Sequence, residues 1–154
     1  MALLHAKALK YVAAGGNLDA AAENTLTNEE VAVECIPAIA ALILSTSPSP
    51  ARRVRVGREF KLRGALAEAS KNEYAAAYGG DLADDTLTLD QDVADLTLYD
   101  IGIVAYDDSG AEKEIEITDM QFTEPMTMSL KSGAFEVLTF QLEGTSASVL
   151  TREF

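Results

Sequence analysis

The amino-acid sequence predicts a mainly β domain of the α+β class, an antiparallel β-sandwich or barrel of two sheets with one short flanking helix. The first observation is a period of two in the apolar side chains of several segments, which is typical of strands that bury one face. The second is a series of short strand-like segments separated by turn residues. The third is that one segment, near residue 75, carries both the start and the stop signals of a helix.

The first third of the chain predicts strands with weak helical alternatives. Residues 6–14 fit either a strand or a short helix, and Gly15-Gly16-Asn17 predicts a turn. Ala20 to Glu23 favours a helix locally but is short. The β-branched content of Val31 to Leu44 predicts one or two buried strands, with Pro37 at an edge, a bend or a bulge.

A loop follows this apolar run. The sequence Ser45-Thr-Ser-Pro-Ser-Pro50 contains two prolines and three serines, which do not sustain a strand ladder. We expect an exposed, mobile loop around residues 45–52.

The next segment, Arg53 to Arg63, predicts one long two-faced strand. Its even positions are apolar except for Arg58, and they are Val54, Val56, Phe60 and Leu62. Successive side chains of a strand point to opposite faces, so this set is expected on one half-buried face. The odd positions, which include Arg53 and Arg55, are expected on the other.

A short, doubly capped helix is expected after this strand. Ser70 and Glu73 have the S-x-x-E spacing of a capping box, in which each side chain satisfies the other residue's free amide. The helix covers residues 74–78 and ends at Gly79-Gly80, because glycine readily adopts the left-handed conformation at the end of a helix.

The C-terminal half predicts further strands. Residues 81–95 mix acids with leucines and cannot be assigned, whereas Leu96 to Tyr106 is typical of a strand. Asp107 to Gly110 predicts a four-residue hairpin loop. Strand-like alternation then recurs three times, in Glu112–Ile117, in Met126, Met128 and Leu130, and in Leu138, Phe140 and Leu142.

Length and charge limit the class of protein. A chain of 154 residues fits a single domain over residues 1–154, large enough to bury about 70% of its unfolded surface. Its net charge of −13 should repel nucleic acid and anionic membranes. Residues 51–80 are the exception, with seven Lys or Arg against three Glu. We expect a soluble, unexported protein, since no membrane span or convincing signal peptide is evident.

Catalytic, metal and cofactor sites have little support. The single histidine, His5, fits a solvated or local structural role, and Cys35 in an apolar run predicts a buried, inert thiol. Acids could supply oxygen ligands to Ca²⁺, but they lack the order of an EF-hand loop and favour a solvated acidic loop. These acids are Asp84, Asp85, Asp90, Asp92 and Asp95. We therefore expect neither an enzyme nor a bound cofactor.

The basic segment has two interpretations. Its residues could bind phosphate, but Phe60 is the one aromatic side chain among them, and the rest of the chain is acidic. A basic stripe on such a subunit is better suited to the acidic surface of a neighbouring copy, where it would set register and orientation. The residues concerned are Arg52, Arg53, Arg55, Arg58, Lys61 and Arg63.

The 28 residues from Arg53 to Gly80 resemble the middle of the major tail proteins (tail tube proteins) of long-tailed bacteriophages. In that family a loop and a basic, apolar strand lead into a short helix that ends in Gly-Gly. The rest of the chain is compatible in the order of its segments and in size, although residues 31–44 are more apolar than is usual there.

The resemblance implies a tail-tube-like β-sandwich whose copies form hexameric rings. The rings stack into a tube through which DNA is ejected without specific binding. The chain would be a structural virion protein of the tail, assembled in the host cytoplasm, with the tape-measure protein and terminator or baseplate proteins as partners. Contacts between subunits or rings would involve Ser47, Pro48, Ser49, Pro50, Arg52, Arg53 and Arg55. Acids facing the lumen would be Glu112, Glu114 and Glu116.

Two other functions stay open. A tail terminator or tail-completion protein of similar fold would form one ring and would not stack. A small-ligand-binding β-barrel would need a large apolar cavity with a few polar anchors.

Overall fold

The computed structural model of the protein describes residues 5–27, 30–43, 46, 49–67, 69–91, 95–123 and 137–154. Within these ranges the chain is mainly antiparallel β, with one α-helix beside the sheet. The strands are β1 (His5–Ala13), β2 (Asn24–Thr25), β3 (Ala32–Ile43), β4 (Pro50–Ala67), β5 (Asp81–Ala83), β6 (Thr86–Thr88), β7 (Tyr99–Tyr106), β8 (Glu112–Phe122), β9 (Val137–Gly144) and β10 (Leu150–Arg152). The helix is α1 (Lys71–Tyr78), and a short 3-10 helix covers Leu18–Ala20. The predicted fold class is confirmed.

Eight strands form one sheet that folds into two layers. Its order is β2-β1-β7-β8-β9-β4-β3, with β10 also paired to β8, while β5 and β6 form a separate hairpin. Strand β8 belongs to both layers, because most of it pairs with β7 and its last residues, Met120 to Phe122, pair with β9. The direction changes at Asp119, whose φ of 51° is uncommon for a residue with a side chain.

The segment after β2 joins the two layers on their other side. The amide of Leu26 donates to the Lys7 carbonyl of β1, and the amide of Thr27 donates to the Ala65 carbonyl of β4. Leu26 also forms a bridge with Leu66. This connection brings β1 and β4, the second and the sixth strands of the sheet order, together, so the body of the domain is nearly closed.

The core lies between these layers. The strand periodicity predicted for β9 is confirmed, since Leu138, Phe140 and Leu142 are buried and alternate with more exposed residues. The largest fully buried side chains come from five different strands and are Leu9, Leu62, Ile101, Ile117, Met120 and Leu142. Burial of each such aliphatic side chain contributes about 1.5–3 kcal/mol relative to exposure.

Helix α1 has the caps and the end that the sequence predicts, but it begins at Lys71, three residues before the predicted start. Ser70 is the N-cap and forms a capping box with Glu73, whose carboxylate accepts from the Ser70 amide at 2.8 Å. Gly79 ends the helix in the left-handed conformation, with φ of 70°. Glu73 also accepts from the Tyr11 hydroxyl at 3.2 Å, which ties the helix to β1. Burial, together with the charge of Glu73, raises the pKa of Tyr11.

The hairpin between β7 and β8 is also confirmed. Asp107 to Gly110 form its turn, and Gly110 has a φ of 84°. The Asp107 carboxylate accepts from the amides of Ser109 and Ala111, and these bonds, with the Ser109 hydroxyl first, lower the pKa of Asp107.

Three predictions in the first half are wrong. Residues 34–43 form one strand at the sheet edge but are exposed, not buried, because no layer of the described residues covers them. Cys35 is accordingly an exposed thiol. Residues 50–52 belong to β4 and not to a loop. The edge position expected for Pro37 is confirmed.

Some predicted features lie outside the described residues. They are Ser45, Ser47 and Pro48 of the predicted loop, Asp92, and the alternating set Met126, Met128 and Leu130. No helix of the described part of the chain is long and apolar enough to cross a membrane.

Two glycines of β4 provide a test of where the body ends. A methyl group at Gly64 would lie 2.7 Å from the ring of buried Phe140, whereas one at Gly57 would meet nothing within 4 Å. We expect Gly64→Ala to lower the free energy of unfolding by about 1–3 kcal/mol through overpacking. Gly57→Ala, the matched control, should be neutral or stabilise by less than about 1 kcal/mol. Urea denaturation measures the free energy of unfolding of both variants. Equal effects would contradict the view that the packed body ends between Gly57 and Gly64.

Candidate assembly interface

The most exposed regular part of the molecule is the outer half of the β3–β4 hairpin. Strand β3 pairs along its whole length with residues 50–63 of β4, but β9 pairs with β4 only from Lys61 to Ala67. We call residues 34–43 of β3 and 50–59 of β4 the outer arm. Every side chain described in it is exposed. At about 3.3 Å per residue, it extends on the order of 30 Å from the body.

Both long edges of the outer arm lack a partner strand in the described part of the chain. Strand β3 ends the sheet order, and residues 50–60 of β4 have a neighbour only on the β3 side. Unpaired amides and carbonyls along a strand are a template for another strand, and an isolated two-stranded hairpin is marginal in water. The outer arm therefore has the properties of a surface that becomes covered in an assembly.

A β-bulge changes the faces that the sequence predicts for β4. Ala38 is opposite Gly57, but the next residue, Ile39, is opposite Arg55, so Val56 is the extra residue. Directly opposite residues of an antiparallel pair share a face, and a bulge shifts that register by one. Beyond the bulge, Arg53 and Arg55 therefore lie on the Phe60 face. The strict alternation expected from Arg53 to Arg63 is wrong on this outer part and holds only near the body.

Large aliphatic side chains cover both faces of the outer arm. Ile36, on the face opposite Cys35, is 43% exposed, and Val56 at the bulge is 68% exposed. The full set is Ile36, Ile39, Leu42, Ile43, Val54 and Val56. Contiguous exposed apolar surface of this kind marks an interaction site on a soluble protein. The sequence predicts that these residues lie in the core or on a half-buried face, and that prediction is wrong.

The arginines of the outer arm have no acidic partner within the described residues. Arg52, Arg53, Arg55 and Arg58 form no ion pair there, whereas Lys7, Lys10, Lys61 and Lys71 all do. From residue 34 to residue 60 there are four arginines and two glutamates, a net charge of +2, which leaves −15 on the remainder of the chain. The charge of the outer arm is thus opposite to that of the rest of the subunit.

The base of the outer arm carries a shallow groove. Arg55, Arg58 and Phe60 line one side, and residues of the turn between β9 and β10 line the other. That second side consists of Ser146, Ser148, Val149 and Leu150. The groove adds two guanidinium groups and the 57%-exposed Val149 to the same surface.

The structure brings two of the predicted contact residues together. Arg53 and Arg55 lie on one face of the outer arm, and Arg52 lies on the other, opposite Leu42. Pro50 begins β4, and Ser49 lies in a bend just before it. Ser47 and Pro48 lie outside the described residues.

The three glutamates predicted to face a lumen share one face of β8. They alternate with Ile115 and the buried Ile117, so they point away from the core. Glu112 lies 2.9 Å from the Lys7 ammonium, and Glu114 lies 3.7 Å from that of Lys10. Whether this face lines a channel depends on assembly and stays a prediction.

Asp19 joins two of these glutamates. Carboxylate oxygens of Asp19, Glu114 and Glu116 lie within 4.8 Å of one another. One oxygen of Glu114 is buried and accepts no hydrogen bond from the described residues. Burial raises the pKa of Glu114, and the neighbouring acids add to this while Lys10 opposes it. Within the described ranges, which omit Asp92, the acids of the 84–95 segment form no comparable group.

A scan of the chain against protein-family models found no match, and neither did a search of the curated proteins. The features that indicate an assembly interface are the geometry of the outer arm and its charge.

We expect Glu114→Gln to stabilise the domain at neutral pH. The folded state holds the Glu114 proton more tightly than the unfolded state does. The ionised carboxylate therefore lowers the free energy of unfolding as the pH rises above 4.5, the ordinary pKa of a glutamate. The glutamine variant escapes this loss. Thermal unfolding at pH 8 should show the variant as the more stable chain, and the difference should shrink towards pH 4.5. A variant less stable at pH 8 would contradict the role of burial.

Proposed function

We propose that the chain is a structural, self-assembling subunit, the tail tube protein of a long-tailed phage or phage-derived particle. Identical copies would form stacked hexameric rings around a channel for DNA ejection. The observation that carries this proposal is the outer arm, which among the described residues has two edges without a partner strand, apolar side chains on both faces and four arginines without an acidic partner. The resemblance of residues 53–80 to tail tube proteins supports the same function.

The physical case for self-assembly begins with the apolar surface. Six aliphatic side chains that are about half exposed would each gain on the order of 1 kcal/mol when covered. A partner strand along either edge would add backbone hydrogen bonds, as in β-strand addition. Both contributions are available to a neighbouring subunit that lies along the outer arm.

Charge favours a second copy of the same chain as that neighbour. The outer arm is positive, and the rest of the chain carries a net charge of −15. Opposite potentials steer encounter and fix the register of an interface. Nucleic acid is a poorer partner, because a charge of −13 on each subunit repels phosphate.

An assembled channel would benefit from the same net charge. A lumen rich in carboxylates lets DNA slide without adhering, because phosphate groups find few cations to pair with. In this proposal Glu112, Glu114 and Glu116 face the lumen. The tape-measure protein, a tail terminator and baseplate proteins would be the other partners, and the protein would be found in the virion tail after assembly in the host cytoplasm.

A tail terminator or tail-completion protein of similar fold is the second candidate, since one ring could use the same outer arm. Electron micrographs of the concentrated protein distinguish the two, because a tube protein forms stacks and a terminator forms single rings. A small-ligand-binding barrel has less support, since the space between the layers is filled by packed side chains such as Leu62 and Met120.

Substitutions on the outer arm test the proposal. We expect Ile39→Thr, Leu42→Thr and Val56→Thr together to abolish rings and tubes. These substitutions remove the apolar contact and introduce threonine, a polar residue that a strand tolerates. Stability of the single subunit should change little, by about 0.5 kcal/mol or less per exposed site. Sedimentation velocity and negative-stain micrographs of concentrated protein measure assembly.

The matched control is Val137→Thr, which changes an equally exposed aliphatic residue, at 48%, away from the outer arm. It should assemble like the native chain. The proposal is wrong if the native chain stays monomeric at every concentration, or if the triple variant assembles normally.

A further inference from the structure

A second surface of the subunit has the chemistry that the outer arm lacks. A pocket of 560 Å³ lies between the end of α1, the β5–β6 hairpin, residues 95–97 and Phe122. Its lining includes the carboxylates of Asp81, Asp90 and Asp95. Two exposed leucines, Leu89 at 45% and Leu96 at 56%, stand at the same place. We call it the acidic pocket.

The acidic pocket is short of positive charge. No lysine or arginine is among its lining residues, and none pairs with Asp81 or Asp95 in the part of the chain that the structure describes. The last turn of α1, which forms one wall, contains no basic residue either. A helix C-terminus carries a partial negative charge from its free carbonyls, so it adds to the attraction for a cation.

From this complementarity we infer that the acidic pocket of one copy receives the Ile39 face of the outer arm of a second copy, with Arg53 and Arg55 facing its carboxylates. The inference rests on the proposed self-assembly and names the surface that the outer arm meets. Ile39 and Ile43, on the same face of the outer arm, would cover Leu89 and Leu96. Apolar side chains of the two copies would then cover each other, and opposite charges would face each other across the interface.

The arrangement has a consequence for symmetry. The outer arm and the acidic pocket are different surfaces of one chain, so the contact between two copies is heterologous. Such contacts either close into a ring or continue as an open filament, and they do not stop at a dimer. One outer arm and one acidic pocket in each copy therefore fit an assembly of many subunits.

Charge reversal on each side tests the inference. An arm-reversed chain carries Arg53→Glu and Arg55→Glu, and a pocket-reversed chain carries Asp81→Lys and Asp95→Lys. Each chain alone places like charges together and should need at least about tenfold more protein to assemble than the native chain does. Sedimentation velocity against concentration measures this threshold.

Mixing the two chains in equal amounts should restore assembly. The reversed arm then meets the reversed pocket, and the native arm of the second chain meets the native pocket of the first. The mixture also has the native average charge, since one chain gains what the other loses, so restoration cannot come from a change in overall repulsion. Micrographs should show particles that contain both chains.

The controls are Arg63→Glu and Glu30→Lys, which reverse exposed charges outside both surfaces. They should shift the assembly threshold by less than about threefold, as expected for screened surface charges. Circular dichroism establishes that each variant is folded. If the lysine pair in the pocket fails to fold, Asp81→Asn with Asp95→Asn replaces it and should still raise the threshold.

The outcomes separate this inference from the proposed function. Native protein that assembles through the outer arm, together with a pocket-reversed chain that assembles normally, overturns the inference and leaves the function standing. A mixture of folded reversed chains that fails to assemble also overturns the inference. Native protein that never assembles overturns both.

Discussion

The structure depends on one strand that is shared between two environments. Strand β4 has eighteen residues, and its last seven pair with β9 and contribute to the core. Residues 52–59 pair only with β3 among the described strands and are exposed. Because the strand is continuous, the outer arm inherits its direction and register from the packed body, and a long projection needs no separate core of its own.

Charge is divided along the same line. Four lysines of the body pair with acids, as Lys7 does with Glu112 and Lys61 with Glu143. The arginines of the outer arm have no such partners among the described residues. Such a subunit has a packed body and an outer arm whose charges are left for a partner, as the proposed assembly requires.

How far the sequence predicts the fold can be judged from particular residues. The limits of α1 follow from Ser70, Glu73 and Gly79, because caps are local chemistry. The β9 core follows from the alternation of Leu138, Phe140 and Leu142. The β5–β6 hairpin was not predicted, because three-residue strands are too short to show a period. Cys35 and the isoleucines near it were assigned to the core, since an apolar run gives no sign of what covers it.

The sequence by itself determined the local structure of this protein: its strands, its one capped helix and a basic segment in an acidic chain. Tertiary structure alone decided which apolar faces are covered. Val54 and Leu62 belong to the same strand pattern, yet Leu62 is buried under the second layer and Val54 is 42% exposed. The reason is that burial depends on which strands lie alongside, and β9 pairs with β4 no further out than Lys61.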